Sequence, residues 1–189
     1  MEKIYQPFKT DLSKYDNSWY KHPPLWKNVL WMLVNHAFIN SYLPLPVSIK
    51  RVILKSFGMK IGKSVMIKPK VNIKYPWLVS VGDYAWIGEE VWIDSLTDVT
   101  IGPNACLSQG AMLLTGNHDY TSPTFDLRIG KIVLEEGVWI GAKAIVCPGV
   151  TCHSHAVLAV NSVATKDLKA YGVYQGNPAQ HVRSRSNES

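Results

Sequence analysis

A histidine in a polar run is the strongest candidate for chemistry in this chain. His118 lies between Asn117 and Asp119, inside the long stretch from Leu113 to Leu134 that interrupts a six-residue periodicity. An imidazole titrates near neutral pH and can take the proton of a hydroxyl that attacks a carbonyl carbon, so His118 is a candidate general base. Position alone leaves a surface histidine open as the alternative. Asn117 and Asp119 either orient the ring or simply form a turn.

The other histidines and the cysteines give weaker signals. His153 and His155 alternate as zinc ligands can, but a zinc site usually needs three or four ligands, and we expect no metal. Cys106 and Cys147 fit inward or corner positions of the repeat better than the position of a nucleophile. The chain has three cysteines and no CxxC pattern, which indicates reduced thiols and a cytoplasmic protein.

Composition limits the class of protein. The 189 residues suffice for one domain with a real core, and 47% hydrophobic with 18% charged residues argue against extensive disorder. The net charge of +6 suits an anionic small ligand as well as a membrane surface. The basic residues form no stripe and accompany no nucleic-acid-binding motif, so we expect no nucleic acid. The stretch from Met1 to Asp16 is polar and has no signal-peptide pattern.

The apolar segment 25–43 needs an interpretation of its own. Polar residues interrupt it, so an amphipathic helix is favoured over a membrane span, which requires about 20 apolar residues. We expect this helix to pack on the rest of the protein or on a partner subunit. The alternative is a peripheral helix at the inner face of the membrane. The apolar residues at helical spacing are Trp26, Val29, Leu30, Leu33, Val34 and Ala37.

From residue 61 onward an aliphatic residue recurs every six positions, and a small or β-branched residue follows it by four. In such a hexapeptide repeat each unit makes a short strand and a turn, and three units make one triangular coil. No coil buries its apolar face alone, so the coils must stack. We expect the glycines that follow several aliphatic residues to relieve the steric cost of the turns. The repeat positions are Ile61, Ile67, Ile73, Val81, Ile87, Ile93, Ile101, Leu107, Leu113, Leu134, Ile140, Val146, Cys152, Leu158 and Ala164.

The repeat predicts an all-β fold, a left-handed parallel β-helix of about five coils with a protruding loop. The strict six-residue phase distinguishes it from a β-sandwich, whose turns are irregularly spaced. The expected parts are a mostly helical cap at 1–58, the β-helix at 59–166 with its loop at 114–131, and an extension at 167–189.

Short motifs distributed over the repeat carry a resemblance to a known family. They are Val91-Trp92-Ile93-Asp94, Ser108-Gln109-Gly110, Thr115-Gly116-Asn117-His118-Asp119-Tyr120, Gly137-Val138-Trp139-Ile140-Gly141-Ala142, Pro148-Gly149-Val150, Ser162-Val163-Ala164-Thr165-Lys166-Asp167 and Gly176-Asn177-Pro178-Ala179. With them the chain resembles the hexapeptide-repeat acyltransferases, in the maltose, galactoside and nodulation acetyltransferase group. The resemblance is closest to the WcaF-like enzymes of colanic acid and other exopolysaccharides, and it covers residues 45–185.

The resemblance implies a homotrimer with active sites between subunits. An acetyl group would pass directly from acetyl-coenzyme A to a sugar hydroxyl of an exopolysaccharide precursor, with His118 as the general base. Glu89 and Glu90 stand where sugar-acetylating relatives place another polar residue, often asparagine, which leaves the identity of the sugar open. The acceptor-binding candidates are Asp94, Ser108, Gln109, Asn117 and Asp119, of which the first three could instead form a hydrated outer face.

The resemblance also places acetyl-coenzyme A in a groove between adjacent β-helices. The turn at Gly141 and Ala142 would supply a backbone N–H to the oxyanion. Thr165 and Lys166 would lie near the adenine end, and Arg183 would pair with phosphate unless it belongs to a solvated tail. The cofactor-binding candidates are Gly141, Ala142, Val160, Thr165, Lys166 and Arg183.

Departures from the family pattern keep other functions open. His153 and Ala159 occupy positions where the pattern has glycine, whereas Asn161 can replace glycine in a left-handed turn. The alternatives are acyl transfer to an amino sugar or an amino acid, a non-enzymatic β-helix that binds partners, and a carbonic anhydrase.

Overall fold

The computed structural model describes residues 9–185, which form a β-helix with a helical N-terminal cap. The cap contains a 3-10 turn (Leu12–Lys14), α1 (Leu25–Val34), continued by a π-helical turn (Asn35–Ile39), and α2 (Val47–Ser56). A second 3-10 turn (Pro76–Leu78) connects the first coil of the solenoid to the second. The strands are β1 (Lys60–Ile61), β2 (Met66–Ile67), β3 (Asn72–Ile73), β4 (Val79–Val81), β5 (Trp86–Ile87), β6 (Trp92–Asp94), β7 (Val99–Ile101), β8 (Cys106–Leu107), β9 (Met112–Leu114), β10 (Gly116–His118), β11 (Leu127–Ile129), β12 (Ile132–Leu134), β13 (Trp139–Ile140), β14 (Ile145–Val146), β15 (Thr151–Cys152), β16 (Val157–Leu158), β17 (Val163–Ala164), β18 (Gly172–Gly176) and β19 (Ala179–Ser184).

Three parallel sheets form the faces of a triangular solenoid. Face A contains β1, β4, β7, β12 and β15, face B contains β2, β5, β8, β13, β16 and β18, and face C contains β3, β6, β9, β14 and β17. This is the predicted left-handed parallel β-helix. It has five complete coils and part of a sixth, because β18 pairs in parallel with β16 and Leu168 bridges to Cys152. The solenoid therefore continues past residue 166, where we had placed its end.

The repeat residues stack in register inside the solenoid, as predicted. On face C, Ile93 lies opposite Leu113, which lies opposite Val146, and all three are fully buried. Small residues such as Ala85 and Ala111 are buried at the corners beside them. Adjacent coils share both backbone hydrogen bonds and this apolar column. The solenoid is therefore a rigid support for the turns and loops at its corners.

The glycines after the repeat residues relieve a steric conflict at the turns, as expected, and the conflict is with the backbone of the next coil. A Cβ atom at Gly82 would lie 2.5 Å from the Pro103 nitrogen, and one at Gly102 would lie 2.7 Å from the Glu135 carbonyl carbon. The left-handed residue of each turn comes later. It is Asn161 in one turn, with a φ of 56°, as its side chain permits.

The cap helices attach to the first coil by specific polar contacts. Trp31 Nε1 donates to the Ile73 carbonyl oxygen at 2.8 Å, and the Asn35 amide donates to Asn72 at 2.9 Å. On α2, Lys50 Nζ donates to the Lys68 carbonyl oxygen at 3.1 Å, and burial lowers the pKa of Lys50. These contacts fix α1 beside face C and α2 over the N-terminal end of the solenoid.

The helix α1 packs on the solenoid, one of the two expected alternatives, but much of its apolar face points outward. Leu25, Trp26 and Leu33 are 77%, 70% and 60% exposed, and Val29 and Leu30 are exposed beside them. The opposite side of the helix contacts the solenoid instead. No helix within residues 9–185 is both long and apolar enough to cross a membrane.

Candidate active site

A hairpin carries His118 away from the solenoid at the corner between faces C and A. Its strands are β10 and β11, with His118 opposite Leu127. Its exit is fixed by Thr115, which is fully buried. Thr115 Oγ1 donates to the Asp94 carbonyl oxygen at 2.6 Å and accepts from the Leu96 N–H at 2.8 Å. The hairpin is therefore anchored to the preceding coil at its base.

The His118 ring is held in one orientation and one tautomer by the loop. Its Nδ1 lies 3.0 Å from the Phe125 carbonyl oxygen. A carbonyl oxygen only accepts hydrogen bonds, so the neutral ring carries its proton on Nδ1 and its lone pair on Nε2. The Phe125 ring stacks on the imidazole at 4.5 Å with 8° between the planes, and Tyr15 lies 5.7 Å away on a tilted plane. This is the geometry of a base ready to accept a proton at Nε2.

Phe125 is a residue of the candidate site whose contacts with His118 sequence analysis did not find. Its backbone holds a φ of 54°, a left-handed conformation that is rare for an aromatic residue. Such conformations cost free energy and cluster at functional sites. Here the conformation accompanies two contacts to His118, one from the carbonyl and one from the ring. Only the apolar character of Phe125 was visible in the sequence.

Asn117 and Asp119 hold the hairpin together. Asn117 Oδ1 accepts from the His118 N–H at 2.8 Å. The Asp119 carboxylate accepts from the Thr121 N–H at 3.0 Å and from the Arg128 guanidinium. The Thr121 hydroxyl and amide, with Arg128, hold the pKa of Asp119 below its usual range. Both side chains therefore have structural partners, and contact with an acceptor stays a prediction for them.

Asp94 lies near the base of the His118 hairpin. A Cβ atom built on Gly116 would be 3.8 Å from its Oδ2. Lys74 Nζ lies 3.0 Å from its Oδ1, so the carboxylate is already paired with a cation. Asp94 is therefore on the same corner as the candidate base.

A second feature, which we call the B–C groove, runs along face B beside its corner with face C. Its volume is about 420 Å³. Arg183 lies at one end of the groove and Trp139 forms part of its apolar floor. Trp139 Nε1 donates to Ser108 Oγ at 3.0 Å. The groove brings together six of the predicted residues, Ser108, Gln109, Gly141, Ala142, Val160 and Arg183.

Free backbone donors line the corner of this groove. The Gly141 N–H donates to the Leu158 carbonyl oxygen at 2.8 Å and is therefore not available to a ligand. In the part of the chain that the structure describes, the N–H groups of Gln109, Ala142 and Val160 make no hydrogen bond. These three residues occupy equivalent turns of successive coils. They form a row of donors parallel to the solenoid axis, and Ala142 rather than Gly141 is the candidate oxyanion donor.

The predicted residues thus fall on two corners of one chain. His118 and Asp94 lie at the C–A corner, and Thr165 and Lys166, which follow β17 of face C, lie there too. The B–C groove lies at the other end of face C. Ser108 and Gln109 are therefore not beside His118 of the same chain.

Cys106, Cys147 and His153 are each partly buried on the solenoid. Cys106 points outward on face B in register with Trp86 and Trp139, so its expected inward or corner position was wrong. Burial raises the pKa of Cys106 and of Cys147, which keeps both thiols protonated and weakly nucleophilic. The Nδ1 atom of His153 lies 3.0 Å from Oε1 of the Glu135 carboxylate. Within residues 9–185, no group of three or more His, Cys, Asp or Glu side chains is arranged to hold a metal ion.

The solenoid with its histidine hairpin defines a hexapeptide-repeat protein, and comparisons with known proteins agree. No family model matches the chain. It is 42% identical over 133 residues to an Escherichia coli K12 protein named as the colanic acid biosynthesis acetyltransferase WcaF, covering 70% of this chain and 73% of that one. A hexapeptide-repeat acetyltransferase structure from Vibrio cholerae superposes with a TM-score of 0.77 at 23% identity, covering 88% and 96% of the two chains. The structure of a galactoside acetyltransferase in complex with coenzyme A superposes with a TM-score of 0.76 at 22% identity. The match covers 86% of this chain and 82% of that one.

The chain belongs to the hexapeptide-repeat acyltransferase family. Within that family it is a WcaF-like acetyltransferase.

Proposed function

We propose that this protein transfers an acetyl group from acetyl-coenzyme A to a sugar hydroxyl of an exopolysaccharide precursor, with His118 as general base. The observation that carries the proposal is the Nδ1 contact of His118 with the Phe125 carbonyl oxygen, which leaves the lone pair on Nε2. A base fixed in this way takes the hydroxyl proton while the oxygen attacks the thioester carbonyl carbon. As the tetrahedral intermediate collapses, its C–S bond breaks and the His118 imidazolium returns the proton to the leaving sulfur, which releases coenzyme A as the thiol and restores the neutral base.

The B–C groove is suited to the cofactor. Its apolar floor and its row of free N–H groups match an extended chain that contains amide carbonyls, and Arg183 offers a cation to phosphate. The Ala142 N–H is the donor placed to stabilise the oxyanion. The protonated thiols of Cys106 and Cys147 favour direct transfer over an acyl-enzyme.

The active site is proposed to form between subunits of a homotrimer. His118, Thr165 and Lys166 share one corner, while the B–C groove lies at another, so a complete site needs both corners at once. The outward residues of faces B and C are largely apolar, including Trp86, Trp139 and Trp92, and apolar outer faces favour association. One subunit would supply the base and Lys166, and its neighbour would supply the groove.

Calorimetric titration with acetyl-coenzyme A tests the proposed cofactor. We expect one ligand per chain with a dissociation constant on the order of micromolar. Lys166→Ala should weaken binding about tenfold, since it removes a charged partner of phosphate. Lys169→Ala is the matched control, because this exposed lysine lies in the same final coil at the corner between faces A and B. A folded protein that binds no acetyl-coenzyme A would contradict the proposal.

A further inference from the structure

The outward side of α1 is an apolar surface that nothing within residues 9–185 covers. Its residues form one continuous stripe on the helix, and we call it the α1 stripe. Lys27 borders it, with Nζ 4.0 Å above the ring of Trp77. The stripe consists of Leu25, Trp26, Val29, Leu30 and Leu33. A stripe of this kind on an otherwise ordinary enzyme surface marks a binding surface.

The charge of the segment that carries the stripe indicates what it binds. Between Asn17 and Gly82 the sequence contains no aspartate or glutamate. All ten charged residues in that segment are basic, namely Lys21, Lys27, Lys50, Arg51, Lys55, Lys60, Lys63, Lys68, Lys70 and Lys74. The segment comprises the cap and the first coil, so the positive charge is concentrated at the N-terminal end of the solenoid. Among these residues, Lys21, Lys55, Lys60 and Lys63 are exposed, and Lys74 is exposed but paired with Asp94 of the next coil.

We propose that the α1 stripe and the basic cap bind the surface of an anionic lipid bilayer. An apolar helix face with an aromatic residue at its edge inserts at the boundary between headgroups and acyl chains, and nearby lysines bind anionic headgroups. The absence of carboxylates from this stretch of sequence lowers the repulsion that would oppose such binding, and the nearby Asp94 carboxylate of the next coil is paired with Lys74. The contact is peripheral, because no helix among the described residues could span the membrane. A second copy of this chain explains the apolar stripe but not the concentration of positive charge.

The proposal is tested by sedimentation of the full-length protein with lipid vesicles. Vesicles of phosphatidylcholine alone are compared with vesicles that also contain phosphatidylglycerol. We expect binding to the anionic vesicles to be at least about tenfold stronger, and to be lost near 1 M salt, where the screening length falls to about 3 Å. The double variant Leu30→Gln, Leu33→Gln should lose about tenfold or more of that binding, because it removes two apolar side chains from the stripe.

Matched control variants distinguish binding through this surface from non-specific binding to vesicles. Lys55→Glu should weaken binding several-fold, whereas Lys169→Glu, at the far end of the solenoid, should not. Tyr171→Asn removes a 52% exposed aromatic ring from the final coil, far from the cap, and should also have no effect. Sedimentation velocity of the double variant decides the competing explanation. If the wild type ignores anionic vesicles and the double variant loses its oligomeric state, the stripe is an interface between copies and the proposal is overturned.

Discussion

His118→Ala should lower kcat by about 10²–10⁴, the usual contribution of a positioned general base. The Phe125 carbonyl fixes the ring so that Nε2 holds the lone pair, and alanine removes the only group proposed to take the hydroxyl proton. Cofactor binding should change less than about threefold, since it depends mainly on the groove at the other corner. Steady-state kinetics combined with calorimetric titration separates the two effects.

His36→Ala is the control for this substitution. His36 is exposed in the cap and contacts no proposed part of the site, so its variant should retain wild-type kcat. If His118→Ala retained activity within about threefold of wild type, general base catalysis by this residue would be refuted.

Val160→Trp should abolish measurable binding of acetyl-coenzyme A, a loss of about a hundredfold or more. Val160 is 66% exposed and lines the B–C groove, so an indole there occupies space that the pantetheine arm needs. The exposed position means that the larger side chain should not disturb the core. Calorimetric titration and the melting temperature are measured on the same sample.

Val182→Trp provides the matched comparison for the groove. Val182 is 53% exposed on β19 and is not among the residues that line the groove. This variant should bind acetyl-coenzyme A like the wild type. Equal losses in the two variants would mean that the groove is not the cofactor site.

The solenoid could be predicted because its information is local and repeated. Each inward residue, such as Ile93 or Leu113, recurs at a fixed interval, and a six-residue phase leaves no other periodic fold. The position of each residue within the six-residue repeat also determines the corner of the solenoid on which it lies. The separation of the candidate residues onto two corners was therefore already present in the sequence. Ala142 and Val160 share one turn of successive coils, whereas Thr165 belongs to the next corner.

Features that depend on non-local contacts could not be predicted. The left-handed backbone of Phe125 depends on a hairpin whose shape no periodicity describes. The side of α1 that contacts the solenoid also could not be predicted from the sequence. Helical spacing shows which residues share a face, but Trp31 and Asn35, not the apolar stripe, contact the solenoid. The amphipathic pattern therefore identified the apolar face of α1 but did not indicate what that face contacts.

The central claim is that one active site takes its base from one subunit and its groove from the next. Mixing tests it directly. His118→Ala and Val160→Trp chains, each inactive alone, are unfolded together, refolded as mixed trimers and assayed for acetyl transfer. A site shared between subunits should restore about a quarter of the wild-type activity. With equal amounts of the two chains, about half of the subunits keep the base and the other half keep the groove, so about one interface in four combines an intact base with an intact groove. If the mixed trimers stay as inactive as the two parents, each site lies within a single chain and the account is contradicted.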